Sequence, residues 1–152
     1  RRWQAGKAID SAVRARLDRP APRLAAGRSL AGIAHACIDV SDGLLADLGH
    51  VCRASRVGAE VDVDALPSSE ALHAAFDPAS RRELQTAGGD DYELCFTAPK
   101  TARLAVADAM HACDVPATRI GRIAADMGKI LLRDAAGAEW LPPRTGYVHF
   151  GS

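Results

Sequence analysis

The run Ala36-Cys37-Ile38-Asp39-Val40-Ser41-Asp42-Gly43-Leu44-Leu45-Ala46-Asp47 constrains this chain more than any other stretch. Ala36 to Val40 is a short apolar run holding one carboxylate, the pattern of a buried strand that ends in a turn. Beyond it Leu44, Leu45, Leu48, Val51 and Cys52 recur at helical spacing, and Ser41 and Asp42 favour a helix N-cap. The expected order is strand, acidic turn, helix. Along an extended backbone Asp39 and Ser41 point the same way. Asp42 follows within roughly 10 Å of Asp39 even for a fully stretched chain. Two carboxylates and a hydroxyl therefore converge beside a helix N-terminus, where unpaired N–H groups and the dipole favour an anion. Two roles fit them. They can cap the helix, or they can hold magnesium, which accepts one or two carboxylates together with phosphate oxygens. Asp39 is the harder residue to read as a cap, because a carboxylate inside an apolar strand is costly to bury unpaired. An EF-hand is excluded, since Leu44 stands where the tight-turn Gly belongs and no Glu closes the loop.

A second acidic turn lies further on. Gly88-Gly89 permits unusual dihedrals and presents Asp90 and Asp91 just before an expected strand, Tyr92 to Thr97. On pattern alone a plain loop with its acids in solvent is the better reading.

The remaining signals bound the fold. The chain has 152 residues, enough for one respectable core. Its 19 basic and 19 acidic residues cancel, so no global field draws it to nucleic acid or an anionic membrane. Arginines are scattered without the aromatic interleaving that RNA stacking needs. No apolar run reaches membrane-spanning length, and the start lacks a signal-peptide core. Cys37, Cys52, Cys95 and Cys113 form no C-x-x-C pair, and no His is spaced to complete a zinc site. They read as buried free thiols in a reducing cytoplasm.

Along the chain, Ala8, Ile9, Ala12, Val13 and Leu17 fit one helix face, which Pro20 and Pro22 terminate in a stiff connector. A short helical piece is expected over Leu24 to Ile33. Gly27 and Gly32 have P-loop spacing, but Ile33-Ala34 replaces the required Lys-Ser/Thr. Arg56-Val57-Gly58 reads as the C-cap of the central helix. Ala59, Val61 and Val63 then alternate with Glu60, Asp62 and Asp64, a strand whose acidic face is solvated or, less simply, a metal face. Leu66-Pro67-Ser68-Ser69 opens a short helix to Phe76, and further helices follow from Asp77-Pro78 to Gln85 and from Pro99 to Cys113, the last with Leu104, Ala107 and Met110 as its core stripe. Thr118 to Ala124 and Lys129 to Arg133 read as two strands around Asp126-Met127-Gly128, a plausible hairpin. The expected class is α+β, a mixed β-sheet covered by helices.

Three stretches carry a family resemblance. Cys37-Ile38-Asp39-Val40-Ser41-Asp42-Gly43-Leu44-Leu45-Ala46-Asp47-Leu48-Gly49-His50 resembles one motif of the thiamine-monophosphate kinases. Gly88-Gly89-Asp90-Asp91-Tyr92-Glu93-Leu94-Cys95-Phe96-Thr97 resembles a second, and Gly146-Tyr147-Val148-His149-Phe150 resembles that family's C-terminal tail. All three stand in the family's order. The resemblance implies the C-terminal domain of such a kinase over residues 23–152, with 1–22 as a helix and Pro-rich connector from an N-terminal domain that is missing. It extends to the aminoimidazole-ribonucleotide synthetase-like superfamily for the fold.

The resemblance also implies a reaction: transfer of the γ-phosphate of ATP to thiamine monophosphate, giving thiamine diphosphate, with Mg2+. The acceptor is itself a phosphate, so positioning two anions and neutralising their charge matter more than making a strong nucleophile. No residue is then assigned as catalytic. Asp39 and Asp42 are expected as metal ligands, Ser41 as an ATP contact, and Asp90 and Tyr147 as substrate contacts. Relatives often carry Glu where Asp90 stands, so its reach is shorter. The expected assembly is a cytoplasmic homodimer formed through the N-terminal domain, with this chain inactive alone. Two alternatives stay open: another ATP-dependent synthetase of the superfamily, or a non-catalytic assembly domain whose acidic turns are caps.

Overall fold

The computed structural model describes residues 11–143, so Tyr147 and the tail motif lie outside the described residues. The elements in chain order are α1 (Ser11–Asp18), α2 (Leu24–Ser29), β1 (Ala36–Asp39), α3 (Leu44–Ser55), β2 (Gly58–Asp62), α4 (Glu70–Ala75), α5 (Pro78–Ala87), β3 (Leu94–Thr97), α6 (Arg103–Ala112), β4 (Gly121–Ala124) and β5 (Ile130–Arg133). Short 3₁₀ turns occupy Val63–Ala65 and Lys100–Ala102. The fold is α+β, as expected, but it divides its strands between two sheets.

β1 and β3 form an antiparallel ribbon with Ile38 opposite Cys95 and Asp39 opposite Leu94. Side chains alternate across such a ribbon, so its two faces feed two cores. Cys95 packs on the larger core, built by Leu44, Leu45, Leu48 and Cys52 of α3 with Val61 of β2 and Leu132 of β5. Leu94 and Phe96 pack on a smaller core of Ala26, Leu30 and Met110 from the α2 and α6 side. Each fully buried Leu of these cores contributes about 1.5–3 kcal/mol. α3 spans the gap and fixes β1 relative to the second sheet.

That second sheet has the order β4-β2-β5. β2 runs antiparallel to β4 and parallel to β5, with Val61 opposite both Gly121 and Leu132. The expected β4–β5 hairpin is therefore absent: β2 inserts between the two strands and takes the hydrogen bonds a hairpin would have used.

Several local expectations hold. Asp77 caps α5 by accepting the N–H groups of Ala79 and Ser80, both at 3.0 Å, with Pro78 at the first helical position. Ser69 caps α4 through the N–H of Leu72. Others fail for identifiable reasons. β1 is not a buried strand, because Cys37 and Asp39 are exposed while Ala36 and Ile38 are half-buried. The buried-thiol reading consequently holds for Cys52 but not for Cys37. The stripe of α6 is displaced: Leu104 is 80% exposed, while Val106, Ala109 and Met110 face the core. At the end of α3 the left-handed position is taken by Arg56 (φ 55°), not by glycine. Gly58 instead opens β2, where a Cβ would lie 2.1 Å from the Asp126 carbonyl oxygen. The acidic face of β2 is neither bare nor a metal face. Glu60 pairs with Arg122 at 2.8 Å, Asp62 accepts the N–H groups of Asp64 and Ala65, and Asp64 pairs with Arg82 at 2.6 Å.

Candidate active site

The acidic turn after β1 is held from three directions. The N-cap of α3 is Gly43, at φ 111° and ψ 148°, with no side-chain capping bond. The expectation that Ser41 or Asp42 occupies the cap is therefore wrong by position: both precede it. A left-handed φ strains an L side chain, and a Cβ at Gly43 would stand 3.0–3.1 Å from backbone atoms of Ala87 and Gly88. The helix start is thus pressed against the end of α5.

The second acidic turn is bonded to the first. The Asp90 N–H donates to the Ser41 carbonyl at 2.8 Å, the Tyr92 N–H to the Val40 carbonyl at 2.9 Å, and the Val40 N–H to the Glu93 carbonyl at 2.8 Å. These bonds carry the β1–β3 pairing past the strand ends. They require the left-handed backbone at Asp90 (φ 66°) and Tyr92 (φ 53°), uncommon for a residue with a side chain and rare for an aromatic one. Such strain persists where surrounding structure fixes it, and it gathers at functional sites. Gly89 lies against Ser41 so closely that a Cβ would sit 2.5 Å from the Ser41 carbonyl oxygen. The sequence-assigned residues Asp39, Ser41, Asp42 and Asp90 are therefore gathered by one pair of interlocked turns.

Their side chains differ in setting. Asp39 is exposed, and its carboxylate makes no hydrogen bond or ion pair among the described residues. Ser41 and Asp42 are half-buried, and Asp90 is exposed. The Tyr92 hydroxyl stands 3.4 Å from an Asp90 carboxylate oxygen, too far for a strong bond. An open groove of about 720 Å³ borders Asp39 and Tyr92, with an apolar floor that includes Pro22, Gly27, Ala31 and Leu94.

The residues sequence reasoning missed are Glu93 and its two arginines, together with Asp47. Glu93 accepts a forked pair of bonds from Arg23, at 2.9 and 2.8 Å, and a further bond from Arg16 of α1. The bond from Arg23 first, then the positive charges of both arginines, holds the Glu93 carboxyl below its ordinary range. The clamp ties the start of the described chain to β3. Its partners lie 70 or more residues apart, so no local spacing reveals it.

Asp91, beside this clamp, behaves in the opposite sense. It is exposed at its rim yet crowded by protein atoms, and desolvation lifts its carboxyl to about 6, reinforced by the charges of Glu93 and Asp90 and opposed by Arg16. Folding thus favours the protonated acid. Its contribution to stability is complete below the ordinary value of 3.8 and is lost as pH rises through about 6. Asp91→Asn should melt higher than the parent at pH 7, and the gap should close near pH 4; melting curves across that range check it.

The carboxylates of Asp39 and Asp42 are hard oxygen donors of the kind magnesium prefers. Among the described residues no group of three or more His, Cys, Asp or Glu is placed to hold a metal unaided. The two acids therefore suit a magnesium that keeps waters and shares phosphate oxygens, and do not suit an all-protein cage.

A model of the AIR synthase related protein, C-terminal domain, matches residues 5–132, most of the chain and both acidic turns. The chain belongs to this family. Within the family context its relatives are specific. It is 44% identical over 137 residues to the thiamine-monophosphate kinase of Salmonella typhimurium, covering 88% of this chain and 41% of that protein. Among solved structures, the thiamine-monophosphate kinase of Stenotrophomonas maltophilia superposes with a TM-score of 0.78 at 46% identity, over 85% of this chain and 44% of that one. The AaThiL structure complexed with AMPPCP and TMP superposes with a TM-score of 0.75 at 27% identity, over 97% of this chain and 45% of that one. The AIR synthase-related domain described here thus spans about two fifths of the length of the curated relatives it matches. None of its described helices is long and apolar enough to cross a membrane.

Proposed function

We propose that this chain serves a thiamine-monophosphate kinase, supplying the C-terminal domain (residues 23–152, with 1–22 as connector) of an enzyme that phosphorylates thiamine monophosphate from ATP. The observation that carries this reading is the hydrogen bond from the Asp90 N–H to the Ser41 carbonyl at 2.8 Å. It holds the turn of Asp39, Ser41 and Asp42 against the turn of Asp90, which supports reading the first as a metal-phosphate site and the second as an acceptor site. In-line transfer between two phosphates requires that kind of fixed relation.

In this reading Asp39 and Asp42 bind magnesium, Ser41 contacts ATP, and Asp90 and Tyr147 contact thiamine monophosphate. Bound magnesium would neutralise charge on the phosphates as the transferred group moves. The protein's own share is positional. Ser41 orients the nucleotide, the Glu93 clamp steadies the Asp90 turn, and the groove beside Asp39 offers a flat heterocycle an apolar floor away from water. The same reading makes the enzyme a cytoplasmic homodimer, assembled through an N-terminal domain.

The test is formation of thiamine diphosphate from ATP and thiamine monophosphate by a full-length kinase carrying this segment, with the segment alone assayed beside it. Turnover is expected only in the full-length protein and only with magnesium. Exclusive activity on another substrate of the superfamily, or equal activity of the segment alone, sinks the reading.

A companion experiment addresses Tyr147. A thiazolium cation favours an aromatic face by about 0.5–2 kcal/mol. Tyr147→Phe should leave the Michaelis constant for thiamine monophosphate unchanged, and Tyr147→Ala should raise it roughly 2- to 30-fold while sparing that for ATP. A lower melting temperature in the Ala variant, with substrate affinity intact, would assign the ring to packing.

A further inference from the structure

Asp47 has no part in the reading above, yet its carboxylate is among the most enclosed charged groups described. It stands in the first turn of α3 and is 4% exposed. One oxygen, Oδ2, accepts the Ser41 N–H at 2.9 Å and the Asp42 N–H at 3.1 Å. A buried carboxylate is costly unless charged hydrogen bonds and a favourable field compensate it. Here two N–H groups and the positive end of α3 do so.

Consecutive N–H groups that converge on one point make a concavity suited to an anion, which in many sites is a phosphate. In this chain the anion is internal. The Ser41 and Asp42 N–H groups are therefore already taken, and the peptide planes of the turn are fixed from below by Asp47. The Asp90 N–H fixes the same turn through the Ser41 carbonyl. With both peptide faces held, the side chains at positions 39, 41 and 42 have little freedom in where their backbone points them.

We propose that Asp47 is a positioning residue: its carboxylate holds the Ser41 and Asp42 peptides so that Asp39 and Asp42 keep the spacing a divalent cation needs. The proposal rests on the reading of Asp39 and Asp42 as metal ligands. It also means that phosphate reaches this turn through the cation and the Ser41 hydroxyl, not through the turn's own N–H groups.

The test uses a full-length kinase carrying this segment, with Asp47→Ala, Asp47→Asn and Asp47→Glu. Backbone hydrogen exchange reads the bonds directly. The Ser41 and Asp42 amides should be protected in the parent and exchange at least tenfold faster in the Ala variant, while amides inside α3 stay protected. Manganese titration in the presence of a non-hydrolysable ATP analogue reads the consequence. Affinity should fall tenfold or more in Ala and stay within threefold of the parent in Asn, whose amide oxygen can accept the same two bonds. Unchanged manganese affinity in a folded Ala variant overturns the proposal, as does continued protection of both amides. If Ala does not fold, Glu decides, because it keeps the charge but displaces the acceptor by one methylene: weaker manganese binding supports the proposal and unchanged binding overturns it. A parent that binds no manganese, with both amides protected, would sink the ligand reading separately from the hydrogen bonds.

Discussion

Asp42→Asn in a full-length kinase carrying this segment is expected to lower turnover at least roughly 100-fold, the scale of losing one electrostatic contact made to the reacting phosphates, with little change in melting temperature. Asn preserves shape and a hydrogen-bond acceptor and removes only the charge. Were Asp42 the cap of α3, the exchange would cost a few tenths of a kcal/mol and leave activity intact, because Asn caps about as well. The structure gives that cap position to Gly43, so no capping loss should contribute. Rates measured against magnesium concentration separate the outcomes. Near-parental turnover at limiting magnesium would return Asp42 to a structural role.

Gly89→Ala should lower stability sharply. Its added Cβ would sit 2.5 Å from the Ser41 carbonyl oxygen and 3.5 Å from backbone atoms of Asp42, and no flexible side chain is available to yield. The two turns must separate, at a cost of about 2–4 kcal/mol. For a chain of this size that lowers the melting temperature by roughly 10 °C. Gly128→Ala is the control: its φ of 75° makes a side chain strained, but nothing lies within 4 Å, so its loss should stay near 1 kcal/mol. Thermal melts of the two variants give the comparison. A Gly89→Ala protein that melts with its parent would mean the turns are not in contact.

What the sequence made legible was mostly local. Asp77-Pro78 and the stretch Leu66-Pro67-Ser68-Ser69 announced two helix starts, because a cap and the N–H it satisfies are separated by two or three residues. The strand, acidic turn and helix around Asp39 were also readable, since apolar spacing there switches from one period to another. Long-range pairing was not. Nothing near Thr118–Arg133 records that β2, some 60 residues earlier, divides its two strands, and a loop of hairpin length misled. The α6 stripe failed because alanine is common on every face, so Leu104 and Met110 defined a plausible but displaced line. At the site, motif resemblance collected Asp39, Ser41, Asp42 and Asp90. It did not show why the turns stay together, which depends on main-chain bonds and on glycines acting as points of contact. Asp47 was printed in the motif, but only its burial and its two N–H partners give it a task.

The place of β2 in its sheet has a consequence for how the chain acquires its structure in time. Glu60 pairs with Arg122 on one side and with Leu131 on the other. Neither partner exists until most of the polypeptide has been made, and closing so long a loop delays both pairings. Until then β2 is a strand with two open edges, the kind of segment that captures copies of itself. Its alternate positions carry Glu60 and Asp62, whose like charges repel a second β2 laid alongside; once the proper neighbours arrive, Glu60 is paired by Arg122 and Arg133. Charge at those two positions therefore disfavours self-association of β2 before its neighbours are in place, and Glu60 passes from repelling a copy of its own strand to holding the arginines of the strands on either side.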